Sequence, residues 1–268
     1  MPPQVEIRNG KKTFTVLGPF PFLVSFPKLN EIENNPEVFN ALSKKLGLSP
    51  DLEWYDVYSL TEPSLLSLIP RPVLALLVII PMTPAWNVDR LAEDADKPPM
   101  YQGKGPNEPV IWFKQTIGNA CGSIGMIHCL INGPAKSHLQ PGSFLAKLTT
   151  EAVNLGMEDR AKVLYDSQEL EFAHQSVAEI GDSKMPSVDA EGHTGQHFVA
   201  YVVEEGKLWE LEGGRKGPLE RGTLGQDEDV LSPRAIELGI GRVIELEKAS
   251  AGRDLRFSCI ALARKIGE

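Results

Sequence analysis

The chain is poor in cysteine and histidine. Only three of its 268 residues are cysteine (Cys121, Cys129 and Cys259) and only five are histidine. So small and odd a number of cysteines describes no disulfide framework, and no Cys/His spacing matches a zinc site. No metal or cofactor is therefore expected, and a reducing, cytoplasmic setting suits the composition. Basic residues are in deficit as well, with 27 Lys and Arg against 36 Asp and Glu and a formal net charge of −9. That balance argues against nucleic acid or an anionic membrane as partner and favours a basic one. Long apolar runs are also missing. The longest, from Val73 to Pro81, is far too short to cross a bilayer, and Met1-Pro2-Pro3-Gln4-Val5 lacks the apolar core of a secretory signal. No segment repeats.

What remains is ordinary globular material, 42% hydrophobic and 24% charged, long enough for one large domain or two small ones. Val5-Glu6-Ile7-Arg8 and Thr13-Phe14-Thr15-Val16 flank Asn9-Gly10, a hairpin signal. Residues 34–47 predict a helix, with Asn34 or Asn35 as cap, Pro36 in the first turn and Gly47 at the exit. Leu52 to Tyr58 predicts a strand and Pro63 to Leu68 a short helix. Pro72 to Pro81, continuously apolar and bounded by proline, predicts a central strand buried on both faces. Residues 83–109, polar and rich in Pro and Asp, read as a flexible surface loop. Ala120 to Leu130 is apolar nearly all round and predicts a helix inside the core. Helices are expected over 143–155 and 158–173. Residues 179–196 then lose periodicity, an irregular link long enough to suggest a lid or binding loop. Two strands follow, His197 to Glu204 and Lys207 to Glu212, turning at Glu205-Gly206. Val243 to Glu247 and Arg256 to Ala263 read as closing strands. The class is α/β or α+β with one central sheet.

The chemistry gathers around Gln115-Thr116-Ile117-Gly118-Asn119-Ala120-Cys121-Gly122. Cys121 opens a helix, where the first-turn amides favour a thiolate; a buried structural cysteine is the commoner role for such a residue. If Glu204 opposes Lys207 across the hairpin, Glu212 lies diagonally from His197 on one face, roughly 7–8 Å apart at the backbone. A carboxylate there fixes the imidazole tautomer and frees the other ring nitrogen for a thiol. The same spacing fits a histidine and a glutamate at strand ends near solvent. The Gln115 side-chain amide with the Cys121 N–H would form an oxyanion hole, unless Gln115 is simply a surface residue. His128, Cys129 and Cys259 are assigned to the core, and His174 and His193 receive no chemical role.

The run from Gln115 to His128 resembles the nucleophile segment of the ubiquitin C-terminal hydrolases, which are papain-like cysteine deubiquitinases. Asn35-Pro36-Glu37-Val38-Phe39-Asn40 to Gly47-Leu48 resembles the family's first helix. Asp56-Val57-Tyr58 through Pro70-Arg71-Pro72-Val73 resembles the helix and strand that follow. His197-Phe198 through Leu208-Trp209-Glu210-Leu211-Glu212-Gly213-Gly214-Arg215-Lys216 resembles the histidine hairpin. The resemblance implies a central antiparallel sheet packed between helices with a knotted backbone, the small single-domain type over residues 28–268, and a crossover loop at about 173–196. Residues 1–27 form an N-terminal extension for which it offers no role. It implies Cys121 as nucleophile, His197 as base, Gln115 as oxyanion donor, Glu212 as orienter of His197, and a contact of Asp56 with the substrate tail. It implies cleavage of small adducts or peptides from the terminal glycine of ubiquitin by a monomer. Hydrolysis of another modifier such as NEDD8, or a catalytically weak ubiquitin-binding module, is the alternative. Segment 151–196 carries ten acidic and three basic residues, suited to steering an arginine-bearing tail or simply to solvation. The chain departs from the family pattern at Glu212, where that pattern has aspartate. The added methylene moves the carboxylate by about one carbon–carbon bond. The doubled Gly213-Gly214 gives the backbone room to compensate.

Overall fold

The computed structural model describes residues 5–8, 11–14, 35–118, 120–178, 195–250 and 254–267. Strands β1 (Val5–Arg8) and β2 (Lys11–Phe14) form a separate antiparallel hairpin in which Arg8 pairs with Lys11. This places the second strand earlier than the expected Thr13 to Val16. The Asn9-Gly10 turn lies outside the described residues.

The remaining elements follow in order: α1 (Pro36–Leu46), β3 (Leu52–Asp56), α2 (Pro63–Leu66), β4 (Ala75–Pro81), α3 (Pro84–Glu93), α4 (Cys121–Ile131), α5 (Phe144–Ala152), α6 (Met157–Asp166), α7 (Gln168–Ala178), β5 (Gln196–Glu204), β6 (Lys207–Leu211), β7 (Leu219–Thr223), α8 (Pro233–Ile236), α9 (Arg242–Ala249) and β8 (Ser258–Arg264). The second sheet has six strands in the order β3-β8-β4-β5-β6-β7, and every neighbouring pair is antiparallel. All seven residues of β4 are buried, as expected of a central strand covered on both faces. Its side chains alternate. Leu77 and Ile79 enter a core with Phe39, Ile127 and Phe198. Leu76, Val78 and Ile80 enter a second core with Trp86, Tyr201 and Val243. The sheet is thus sandwiched between helices, the architecture expected of the sequence.

Four sequence expectations are corrected. Residues 83–109 are not simply a loop, because they contain α3. Thr83 caps that helix by accepting from the Trp86 N–H at 3.0 Å, and Pro84 occupies its first turn. Val243 to Glu247 is not a strand. It lies within α9, where Val243 and Glu247, four residues apart, are both buried on one helical face; so short an apolar alternation does not separate strand from helix. The single helix expected over 158–173 is two, α6 and α7, divided at Ser167, whose ψ of 109° is extended. Helix α7 runs on to Ala178, so the expected crossover loop at 173–196 begins as helix. Residues 179–194 of that loop lie outside the described residues.

Candidate active site

Helix α4 approaches the sheet closely because it starts with small residues. A Cβ on Gly122 would lie 3.3 Å from the Phe198 ring, and one on Gly125 would lie 2.8 Å from Leu77 Cδ1. That approach brings Cys121, the first residue of α4, to His197 near the start of β5. No side chain caps the first turn among the described residues, and the Gly122 and Phe198 backbone N–H groups favour the anionic form of the thiol.

The register expected of the hairpin is present, with Glu204 opposite Lys207 and Ala200 opposite Leu211. Glu212 follows directly after β6, and its Oε1 lies 2.5 Å from His197 Nε2. The Glu212 side chain is wholly buried and that of His197 is 13% exposed. A carboxylate on Nε2 leaves Nδ1 for the thiol. Burial by itself would lower the His197 pKa, but the adjoining Glu212 charge and its hydrogen bonds to Cys121 and Glu212 lift it to about 10. Burial would raise Cys121; the hydrogen bond and charge of His197 outweigh it and bring the thiol below its ordinary value. Glu212 is held down at about 2, against the effect of burial, by His197, the Gly214 N–H and Arg90. All three directions favour a thiolate–imidazolium pair beside an ionised carboxylate, the arrangement that activates a thiol.

Gln115 belongs to the same construction. Its backbone N–H donates to Gly213 O at 2.9 Å, and Trp112 Nε1 donates to Glu212 O at 3.1 Å. The segment before α4 is therefore clamped to the turn that carries Glu212. One proton of Gln115 Nε2 goes to Ile117 O at 3.2 Å, and the amide carries a second that this bond does not use. Asp56 is not part of this cluster. It ends β3, with Tyr58 Oη donating to it at 3.5 Å, and lines a cleft of about 680 Å³ with Asn35 and Ser258. It shares the His197 end of the sheet, but three strand spacings, roughly 14 Å, separate their strands.

Cys129, Cys259 and His128 are buried in the core, as expected, and His193 lies outside the described residues. Burial raises the Cys129 thiol and pushes Cys259 up to about 12. His128 Nε2 accepts from the Phe113 N–H at 2.9 Å, and burial holds its pKa at about 3. His174 Nδ1 lies 2.8 Å from Ser123 Oγ inside the core. Sequence reasoning missed Trp86 and Arg90 on α3. The Trp86 ring is 6.2 Å from that of His197, the Arg90 guanidinium lies over Trp86 at 4.9 Å, and Arg90 Nη1 donates to Glu212 Oε2 at 3.2 Å. The Thr-Pro start and the four-residue spacing of Trp86 and Arg90 were the available helical signals.

Comparison with known proteins agrees with this geometry. The family model described as "Ubiquitin carboxyl-terminal hydrolase, family 1" matches residues 29–245. Ubiquitin carboxyl-terminal hydrolase 3 of Arabidopsis thaliana is 34% identical over 235 residues, covering 87% of this chain and 93% of that protein. Ubiquitin carboxyl-terminal hydrolase isozyme L1 of Rattus norvegicus is 33% identical over 237 residues, covering 88% and 99%. The crystal structure of the Trichinella spiralis UCH37 catalytic domain bound to ubiquitin vinyl methyl ester shares the fold with a TM-score of 0.64. Its sequence is 22% identical, and the match covers 87% of this chain and 93% of that one. With a thiol, an imidazole and a carboxylate assembled on this sheet and relatives of such identity over most of its length, the chain belongs to the ubiquitin carboxyl-terminal hydrolases, family 1.

Proposed function

We propose that this chain is a deubiquitinating thiol hydrolase that cleaves small adducts or short peptides from the terminal glycine of ubiquitin. The contact of 2.5 Å between His197 and Glu212 carries the reading, because it removes the main objection to a glutamate in that place. The Cys121 thiolate attacks the glycine carbonyl, and the carbonyl electron pair moves onto oxygen. The Cys121 N–H and the Gln115 amide stabilise that oxyanion. His197, as imidazolium, gives its proton to the leaving amine, and the collapsing intermediate becomes a thioester. Neutral His197 then takes a proton from water, whose oxygen attacks the thioester and releases the carboxylate. Ubiquitin is the expected modifier on two grounds: the solved Trichinella spiralis UCH37 structures are bound to ubiquitin vinyl methyl ester, and the net charge of −9 suits a basic tail.

The test is hydrolysis of fluorogenic C-terminal amides of ubiquitin and of NEDD8 by the wild type and Cys121→Ala. Turnover of the ubiquitin amide that vanishes in Cys121→Ala supports the proposal. Faster turnover of the NEDD8 amide would make this a hydrolase of that modifier instead. Ubiquitin binding without turnover would reduce the chain to a binding module.

A further inference from the structure

The Glu212 carboxylate has two oxygens, and both are held. Oε1 accepts from His197 Nε2 at 2.5 Å and also from the Gly214 N–H. Oε2 accepts from Arg90 Nη1 at 3.2 Å. A carboxylate held by one oxygen still turns about its last carbon–carbon bond, and glutamate has one more rotatable bond than aspartate through which to drift. The second anchor removes that freedom.

Arg90 is itself fixed. Its guanidinium lies 4.9 Å over the Trp86 ring, and Trp86 is only 2% exposed. The same indole sits 6.2 Å from the His197 ring, so one aromatic side chain adjoins both the imidazole and the cation that steadies its carboxylate. The turn requires glycine beside this contact. A Cβ at Gly214 would lie 2.7 Å from Glu212 Oε1 and 2.9 Å from Arg90 Nη1.

We propose that Arg90 is a positioning residue for the reaction: held on Trp86, it fixes the far oxygen of Glu212 so that the near oxygen stays on His197. This rests on the hydrolase reading above. It goes beyond that reading by assigning a role to a helix that contributes no reacting group.

The other groups that act on the pair are known. Cys121 on α4 acts on His197, and His128, also on α4, is coupled to Glu212. Lys114 stands before α4, with its Nζ on Gly214 O at 2.9 Å and on Arg215 O at 2.8 Å.

The experiment is Arg90→Gln, with Arg90→Met as a second variant in case the first fails to fold. Two readouts are taken: kcat and KM on the fluorogenic ubiquitin amide, and the His197 titration followed by NMR of its ring protons in free enzyme. A positioning role predicts kcat lower by about 10²-fold with KM within about twofold. It also predicts a His197 pKa lower by about one pH unit, because a loosened Glu212 supports the imidazolium less well. A role through charge alone gives the opposite sign, since loss of a nearby cation raises the His197 pKa. A pKa that rises or stays, an unchanged kcat, or a loss confined to KM overturns the proposal. The titration needs no substrate, so a wild type inactive on ubiquitin would refute the hydrolase reading and still leave Arg90 decided.

Discussion

Glu212 shows how one extra methylene is accommodated. Its side chain reaches His197, the Gly214 N–H and Arg90 together while fully buried. Shortening it therefore harms rather than helps. Glu212→Asp should lower kcat about tenfold in steady-state assays, and Glu212→Ala should lower it by about 10²- to 10⁴-fold; a faster Glu212→Asp enzyme would refute this reading of the cradle. The pH dependence has a definite sign. Activity needs the thiolate and the imidazolium together, so the rising limb of kcat/KM should lie below the ordinary thiol value of 9.0 and the falling limb where His197 loses its proton, at about 10. A pH–rate profile on the ubiquitin amide checks both limbs. At this scale the sequence was legible where spacing encodes chemistry. Hairpin arithmetic placed Glu212 within reach of His197, and the run Gln115 to Gly122 marked the proposed nucleophile. Arg90 was hidden because its role depends on a neighbour 122 residues away, which no local pattern reports.

At the level of elements, the thiol and the imidazole meet because α4 lies against β4 and β5 with almost no side chain between them at its first turns. Gly125→Leu would force a branched side chain into Leu77, which is fully buried. Overpacking of that kind costs about 1–3 kcal/mol. The expected outcome is a lower denaturation midpoint and a fall in kcat larger than the change in KM, as Cys121 moves off His197. Chemical denaturation and steady-state kinetics measure the two effects. Strand β4 and helix α4 were readable because continuous apolar runs of these lengths have few other solutions. Helices α3 and α9 were not. Each carries its buried contacts on a narrow stripe, Trp86 in one and Val243 with Glu247 in the other. They are joined to each other by Thr83 with Glu247 and by Arg242 with Asp89 at 2.8 Å, and to the sheet through the second core. A tertiary partner of that kind overrides local preference and leaves no periodic signal.

Across the whole molecule, a buried ionic network ties α3 to the far strands of the sheet. Glu93 meets Arg215 and Arg221, and both arginines also meet Glu210. Burial would raise the Glu93 pKa, but these cations, with Arg242, hold it at about 2 against an ordinary 4.5. A depressed folded-state pKa contributes stability that is complete above about 4.5 and is lost as pH falls towards 2. Glu93→Gln should be less stable than wild type at pH 7, because it leaves buried arginines short of a partner, and its stability should decline less steeply in acid. Urea titrations across that pH range measure the difference; parallel acid slopes would contradict it. One central sheet was legible from the intermingled strands and helices, and its place between helices from the family resemblance. The order β3-β8-β4, which inserts the last strand between β3 and β4, was not, because strand order is set by long-range pairing.

The most direct test of the central claim is the intact mass of the chain after incubation with ubiquitin vinyl methyl ester, followed by mapping of the modified residue. The account predicts one covalent ubiquitin on Cys121, none in Cys121→Ala, and much slower labelling in His197→Ala. Labelling at Cys129 or Cys259, or no adduct on a folded wild type, would contradict it.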